Sequence, residues 1–386
     1  MTLLSTLLEL NPYWQKPAIQ TPKKAKESEE MRDWSQLPDD LIAYIVKQIT
    51  AMDDYVRFGE VCRSWRLVTK NRENCGVNEP WLLLDCDGDD GICRFCSLTT
   101  TDIFYLHLPE VQETTECWGS PFGWLITMSV DYEIRLLNPL TRVQIDLPPP
   151  PLKYLNLNNT LPSSFSILEN AVLSSSPSSS TSLNNCMVIA LYKPSYELAF
   201  ARLGDQTWTS VEGFEWNDSS RVVYFRDRLF TVDYDGNLQV CDVNSLHPNF
   251  TNFAQIPTTL MCMHVFYLVE ICGELHAIVR IAGELDLEGH DVEREETFEV
   301  YKLDICTRNF TKLLNFDDHA LLLGPNFCSS CPTTLSEFSG NCIYFVSSLM
   351  GNDKGIFIFD YNTKELGLLD SAPELCNLPW VTPCLW

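Results

Sequence analysis

A two-part pattern recurs from residue 81 onward and limits what this chain can fold into. One part is a turn residue leading into a short apolar run: GWLITM from Gly123, DRLFTV from Asp227, GELHAI from Gly273 and NCIYFV from Asn341. The other is an apolar run ending in Asn or Asp, then a turn, then another run. It reads IRLLNPLTRVQI around Asn138, LQVCDVNS around Asp242, FEVYKLDICTRNFTKL around Asp304 and IFIFDYNTKELGLL around Asp360, with FARLGDQTWTSV around Asp205 a weaker copy. Runs this short, rich in Val, Ile, Phe and Tyr and bounded by Gly, Asn, Asp or Pro, are strand signals. Asn and Asp favour the turns because their side chains bond nearby backbone N–H groups. The spacing is 15 residues from Gly123 to Asn138 and again from Asp227 to Asp242, 19 from Asn341 to Asp360, and 31 from Gly273 to Asp304.

A four-stranded antiparallel unit repeated around an axis accounts for this periodicity. The expectation is a β-propeller over residues 76–386, with six blades favoured over seven. The closing segment LPWVTPCLW (378–386) is placed to complete the first blade, which opens near WLLLDC (81–86), and so to remove exposed sheet edges. Two insertions are expected. ELDLEGHDVEREE (284–296) reads as an acidic hairpin within an insertion near 282–297. LSSSPSSSTS (173–182) reads as a mobile loop within another near 158–184, because Ser and Pro at that density cannot form a core. The Gly-Gly, Gly-His…Trp-Asp and leucine-rich repeat signatures of other repeat folds do not occur.

Residues 34–75 have a different character, and residues 1–33 read as a flexible leader. Leu41, Ile42, Ile45, Val46 and Ile49 fall at the spacing of one apolar helix face. Pro38 suits the first turn, and Asp39 and Asp40 oppose the positive end of the helix dipole. Asp53 or Asp54 can cap a second helix. Phe58, Val61, Cys62, Trp65 and Val68 follow at helical spacing. A compact three-helix unit is expected, so the fold class is α+β multidomain.

Composition narrows the functions. The 386 residues hold 27 basic and 52 acidic side chains, a net charge of −25. Residues 1–75 carry 11 of each sign, so the whole excess lies in the β-rich region. That argues against nucleic-acid backbones and anionic membranes as partners. The start MTLLSTLLEL lacks a basic n-region and does not read as a signal peptide, so the N-x-S/T matches at Asn158, Asn217, Asn249 and Asn309 read as chance.

Most of the 16 cysteines sit in apolar runs and read as reduced, buried hydrophobes in an intracellular protein of cytoplasm or nucleus. The C-x-x-C pairs Cys93/Cys96 and Cys328/Cys331 lie far apart with no histidine cluster, and read as ordinary core or loop thiols. P-loop, Rossmann, H-E-x-x-H and G-x-S-x-G motifs do not occur, and the six histidines are scattered, His276 in the aromatic slot of its strand. No catalytic residue, metal ligand or cofactor is assigned.

The N-terminal unit resembles an F-box. Leu37-Pro38-Asp39-Asp40-Leu41-Ile42, then Ile45 and Ile49, then Asp53 or Asp54, and Val61-Cys62-Arg63-Ser64-Trp65-Arg66 carry the likeness. The chain from about residue 34 to the end resembles plant F-box proteins with a KIB-type β-propeller, GNCIYFV with the Asp-ended strand after it being the most recognisable stretch. The Ser-rich and acidic insertions depart from the pattern.

The resemblance implies a non-catalytic subunit of an SCF-type ubiquitin ligase. The F-box would dock a Skp-type adaptor, and through it a cullin and a RING subunit. The propeller would hold the target protein. Carried over by position, Leu37, Pro38, Leu41, Ile42, Ile45, Val46 and Ile49 would form the apolar docking stripe, with Val61 and Trp65 closing the bundle and reaching the partner. The alternative is a propeller that binds or inhibits a partner outside any ligase. The acidic propeller further suggests a target with a basic patch, bound in a salt-dependent way.

Overall fold

The computed structural model describes residues 34–49, 58–59, 61–69 and 81–382, with breaks at 88–89, 99–102, 113–114, 152, 154–166, 178–185, 216–221, 234, 258–262, 283, 286–290, 293–295, 317, 325–326, 334–337, 349–353 and 371–379. The chain divides into two compact units at Val77/Asn78.

The second unit is a six-bladed β-propeller. Blade one holds Trp81–Cys86 (β1), Ile92–Ser97 (β2) and Ile103–His107 (β3). Blade two runs Glu116–Trp118 (β4), Leu125–Met128 (β5), Ile134–Leu137 (β6) and Gln144–Asp146 (β7). Blade three runs Leu168–Leu173 (β8), Met187–Tyr192 (β9), Glu197–Arg202 (β10) and Thr209–Val211 (β11). Blade four runs Val223–Phe225 (β12), Arg228–Val232 (β13), Asn237–Asp242 (β14) and Thr251–Gln255 (β15).

Blade five holds Met263–Ile271 (β16) and Glu274–Ala282 (β17), a small ladder Glu284–Leu285 (β18) and Asp291–Val292 (β19), then Thr297–Asp304 (β20) and Asn309–Leu313 (β21). Blade six holds His319–Leu323 (β22), Cys328–Pro332 (β23), Cys342–Ser348 (β24), Lys354–Asp360 (β25) and Leu366–Asp370 (β26). Trp380–Val381 (β27) then pairs with β1, giving blade one the order β27-β1-β2-β3. The closure expected from LPWVTPCLW is therefore present, through Leu82↔Trp380 and Trp81↔Val381.

The recurrent pattern maps onto the two strands that precede the last strand of a blade's main sheet: β5 and β6, β13 and β14, β17 and β20, and β24 and β25. After β6, Asn138 Oδ1 accepts from the N–H groups of Leu140 and Thr141, both at 3.0 Å. Asp304 and Asp360 do the same after β20 and β25, with first bonds of 2.8 Å each, and after β14 Asp242 Oδ1 accepts from Asn244 N–H at 2.9 Å. Each carboxylate thus satisfies donors that the reversing chain leaves without ladder partners.

Burial follows from strand alternation. Along β9 every residue is buried, because both faces meet a neighbouring blade. Val188 and Ala190 join a core with Ile126, Met128 and Leu136 of blade two. Met187 and Ile189 join another with Leu229 and Cys241 of blade four. Similar cores join blades four to five, five to six, and six to one.

Three expectations are corrected. Blade six has five strands in the order β23-β22-β24-β25-β26, with β22 parallel to β24. The extra strand is tolerated because HALLL is apolar at every position but its first, and so fills a place walled on both faces. Leu168–Leu173, placed at the sequence level inside an insertion near 158–184, is the first strand of blade three and pairs with β9. Most of the rest of that insertion lies outside the described residues. Within the insertion near 282–297, Glu284↔Val292 and Leu285↔Asp291 form the expected hairpin ladder.

The third correction concerns Cys93, which read as a thiol beside Cys96. Register sets Cys93 opposite Cys86, their Cα atoms 3.9 Å apart, and the two form a disulfide. Residues three apart on a strand face opposite ways. So Cys93 and Cys96 on β2, and Cys328 and Cys331 on β23, cannot turn both sulfurs to one ion. Cys328 lies against the core of blades five and six, Cys331 in that of blades six and one. The middle helix of the expected three, capped by Asp53 or Asp54, falls mostly outside the described residues, of which Phe58 and Gly59 are helical; the N-terminal unit otherwise shows α-helices at Asp39–Val46 and Arg63–Thr69 and a 3-10 turn at Trp34–Gln36. The leader 1–33 also lies outside the described residues. Among the described residues no helix is long and apolar enough to cross a membrane.

His276 is 4 % exposed on β17, its Nδ1–H donating to the Glu274 carbonyl at 3.0 Å. Burial lowers its pKa from the ordinary 6.5. The folded chain then binds fewer protons than the unfolded chain as pH drops below the unfolded value, so stability falls with falling pH. The propeller's melting temperature is expected to drop between pH 7 and pH 5, and His276→Gln is expected to flatten that slope. An unchanged slope in the variant would remove His276 as a cause.

Candidate functional site

The candidate site is the apolar surface of the N-terminal unit, built on Asp39–Val46 (α1) and Arg63–Thr69 (α2), with a 3-10 turn at Trp34–Gln36. Pro38 stands at the N-cap with φ −58° and ψ 141°, one residue before the helix. Its carbonyl accepts from Leu41 N–H at 3.0 Å and Ile42 N–H at 3.1 Å, so the first turn closes without a capping side chain. Asp39 and Asp40 occupy that turn, where the helix dipole favours negative charge. An eight-residue helix is too short to persist alone, so tertiary contact must hold it.

That contact divides the apolar stripe in two. Ile42 and Val46, one turn apart, are fully buried. Leu41 is 51 % exposed and Tyr44, on the same flank, 66 %. Ile45 and Ile49 are half-buried between the two sets, as is Leu37, and Pro38 is exposed. Elsewhere in the unit, Val61 and Leu67 are exposed.

Trp65 ties the unit together. Its ring stacks on Phe58 with centroids 4.2 Å apart and planes 28° apart. Its Nε1–H donates to the Trp34 carbonyl at 3.1 Å, and Ser64 Oγ donates to the Ser35 carbonyl at 3.1 Å. The 3-10 turn is thereby fastened to α2. Sequence reasoning did not single out Tyr44, Leu67 or Trp34, the last 52 % exposed. The signal for Tyr44 was its place three residues after Leu41, where side chains adjoin on a helix.

Exposed apolar side chains on a small helical unit can bind another apolar surface and exclude water from it. Among the described residues, no group of three or more His, Cys, Asp or Glu side chains is gathered as for a metal ion.

A helical unit with an open apolar flank, followed by a closed propeller, is the architecture of an F-box protein. Residues 34–75 match the F-box domain and residues 95–360 match the KIB1-4 beta-propeller. The chain belongs to the KIB1-4 β-propeller family. Among curated proteins it is 24% identical to the F-box protein SKIP23 of Arabidopsis thaliana, over 92% of this chain and 95% of that one. It is 23% identical to the F-box protein At2g05970 of the same plant, over 95% and 98%.

Proposed function

We propose that this chain is the substrate-recognition subunit of an SCF-type ubiquitin ligase. The observation that carries the reading is an F-box with an open apolar flank joined to a propeller of the KIB1-4 family. The F-box docks a Skp-type adaptor and, through it, a cullin and a RING subunit. The propeller holds the target protein near the ubiquitin-loaded enzyme. Acceleration here is proximity: holding two reactants together replaces a bimolecular encounter. The chain itself contributes no reacting group and needs no cofactor.

In this reading Leu37, Pro38, Leu41, Ile45, Ile49 and Val61, which keep exposure, meet the adaptor. Ile42 and Val46 support them from beneath, and Trp65 sets the angle between the turn at 34–36 and α2. The excess of acid in the propeller favours a target with a basic patch through long-range steering, which salt weakens.

The double variant Leu37→Ala, Pro38→Ala is expected to lose co-purification with a Skp-type adaptor while its β-sheet circular dichroism stays intact. Undiminished co-purification would sink the reading. It would favour the second one, a propeller that binds its partner outside any ligase.

A further inference from the structure

One turn sequence recurs before the last strand of three blades. It reads Asn138-Pro-Leu-Thr-Arg142 in blade two, Asp304-Ile-Cys-Thr-Arg308 in blade five and Asp360-Tyr-Asn-Thr-Lys364 in blade six. The fifth residue is basic each time and has a left-handed backbone, with φ of 58°, 60° and 64°. Its N–H returns to the carbonyl of the first residue at 2.8, 2.7 and 2.8 Å. The backbone therefore aims three cations in the same way relative to their blades.

Their partners differ. Arg142 donates to Glu110, of the segment between blades one and two, at 2.6 and 3.0 Å. Arg308 lies 4.9 Å above the ring of Phe253, on the outer strand of blade four. Lys364 has no such partner across its junction. Its Nζ rests 3.3 Å from the ring centroid of Tyr361 in its own turn, and among the described residues no carboxylate lies within ion-pair distance of it.

At that junction a cleft of about 400 Å³ opens between blades five and six. Lys364, Asn362, Lys312, Phe298 and Leu314 are among its walls, and Leu314 is 86 % exposed. Both nearby carboxylates are already engaged. Glu299 is bound by Lys312 and by the Tyr301 hydroxyl. Asp360 Oδ1 holds the N–H groups of Asn362 and Thr363 at 2.8 and 3.1 Å. Asn362 Oδ1 accepts from Asn341, which leaves its own Nδ2 to donate. The ammonium of Lys364 is thus disfavoured by burial and by Lys312, and its pKa is lowered.

We propose that this cleft is a peptide-docking subsite that takes an Asp or Glu side chain of a protein partner, the carboxylate against Lys364 and Asn362 and a neighbouring aliphatic residue on Leu314. The carboxylate supplies what Glu110 supplies to Arg142. The propeller's net negative charge steers the target as a whole toward a basic patch, whereas this contact is set by the charges within about 8 Å of Lys364 at physiological salt. A charge-assisted hydrogen bond is the stronger kind, and one acidic residue in a target would then fix its register on the propeller. The subsite is independent of the adaptor-docking reading.

The test is fluorescence anisotropy with the full chain and a fluorescein-labelled peptide of alternating Glu and Leu. Saturable binding is expected, weakened about tenfold or more by Lys364→Glu and retained by Lys364→Arg. Lys153→Ala, in the segment between β7 and β8, should leave it unchanged, as should Leu37→Ala with Pro38→Ala. A matched Gln and Leu peptide should bind no better than the Lys364→Glu variant binds the acidic one. Equal binding by the wild type and a folded Lys364→Glu chain would overturn the proposal. So would displacement by inorganic phosphate at concentrations where acetate has no effect, which would mark a phosphate site instead.

Discussion

Trp380→Ala is expected to destabilise the propeller by about 3–5 kcal/mol, the usual cost of truncating a buried tryptophan. Trp380 is fully buried and belongs to the only strand that returns from the end of the chain to blade one among the described residues. Its neighbours have been cut to fit. A Cβ on Gly119 would lie 1.6 Å from the Trp380 carbonyl oxygen, and one on Gly324 would lie 2.9 Å from its ring. Thr382 N–H then donates to the Ser120 carbonyl at 3.0 Å, fastening the strand to blade two. Loss of the indole leaves a cavity walled on one side by the Gly324 backbone and elsewhere by packed core side chains such as Leu82, Leu322 and Phe327. At about 2–4 °C per kcal/mol for a domain of this order, the melting temperature should fall by roughly 10 °C. Differential scanning calorimetry reads this directly. A shift under a few degrees would mean that closure through β27 contributes little.

Leu41→Asp is the second large effect, and it separates docking from folding. Leu41 is 51 % exposed, so the isolated chain tolerates a carboxylate there. In a complex that carboxylate would be desolvated without a partner. Affinity for a Skp-type adaptor is expected to fall at least about 30-fold, which is roughly 2 kcal/mol. The thermal unfolding of the chain should not change. Ile42→Asp is the contrasting variant. Ile42 is fully buried, so its replacement should unfold the helical unit and lose binding indirectly. Calorimetric titration with the adaptor, paired with circular dichroism, distinguishes the two. Wild-type affinity in Leu41→Asp would remove this flank from the interface.

Much of the propeller was legible because its central strands obey local rules. Asn138, Asp242, Asp304 and Asp360 mark the same turn, and a side chain that caps a turn leaves its trace in sequence whatever the tertiary context. The closing tryptophan was legible for a related reason, since a ring of blades must end on a strand that can reach its first. The edges were not. Glu116–Trp118 and Thr209–Val211 are three residues long, too short to show a period of two. Cys328–Pro332 has no apolar alternation, and its place beside β22 depends on partners distant in sequence. The Cys86–Cys93 bond was hidden for the same reason, because register and not spacing brings the two together.

The basic fifth residue of the recurrent turn was visible in sequence at 142, 308 and 364. What distinguishes Lys364 is the missing partner across the junction, and only the fold reveals that. In the helical unit, periodicity gave one stripe from Leu41 to Ile49. Three-dimensional packing divided it into the buried pair Ile42 and Val46 and the open flank of Leu41 and Tyr44.

The central claim is that this chain joins a ligase through its F-box. Size-exclusion chromatography with light scattering, on the full chain mixed with a purified Skp-type adaptor, tests it most directly. A single peak at the summed mass, which adds a cullin when one is supplied and is lost in Leu41→Asp, is the predicted result. Separate elution of the two wild-type proteins at micromolar concentration would contradict it.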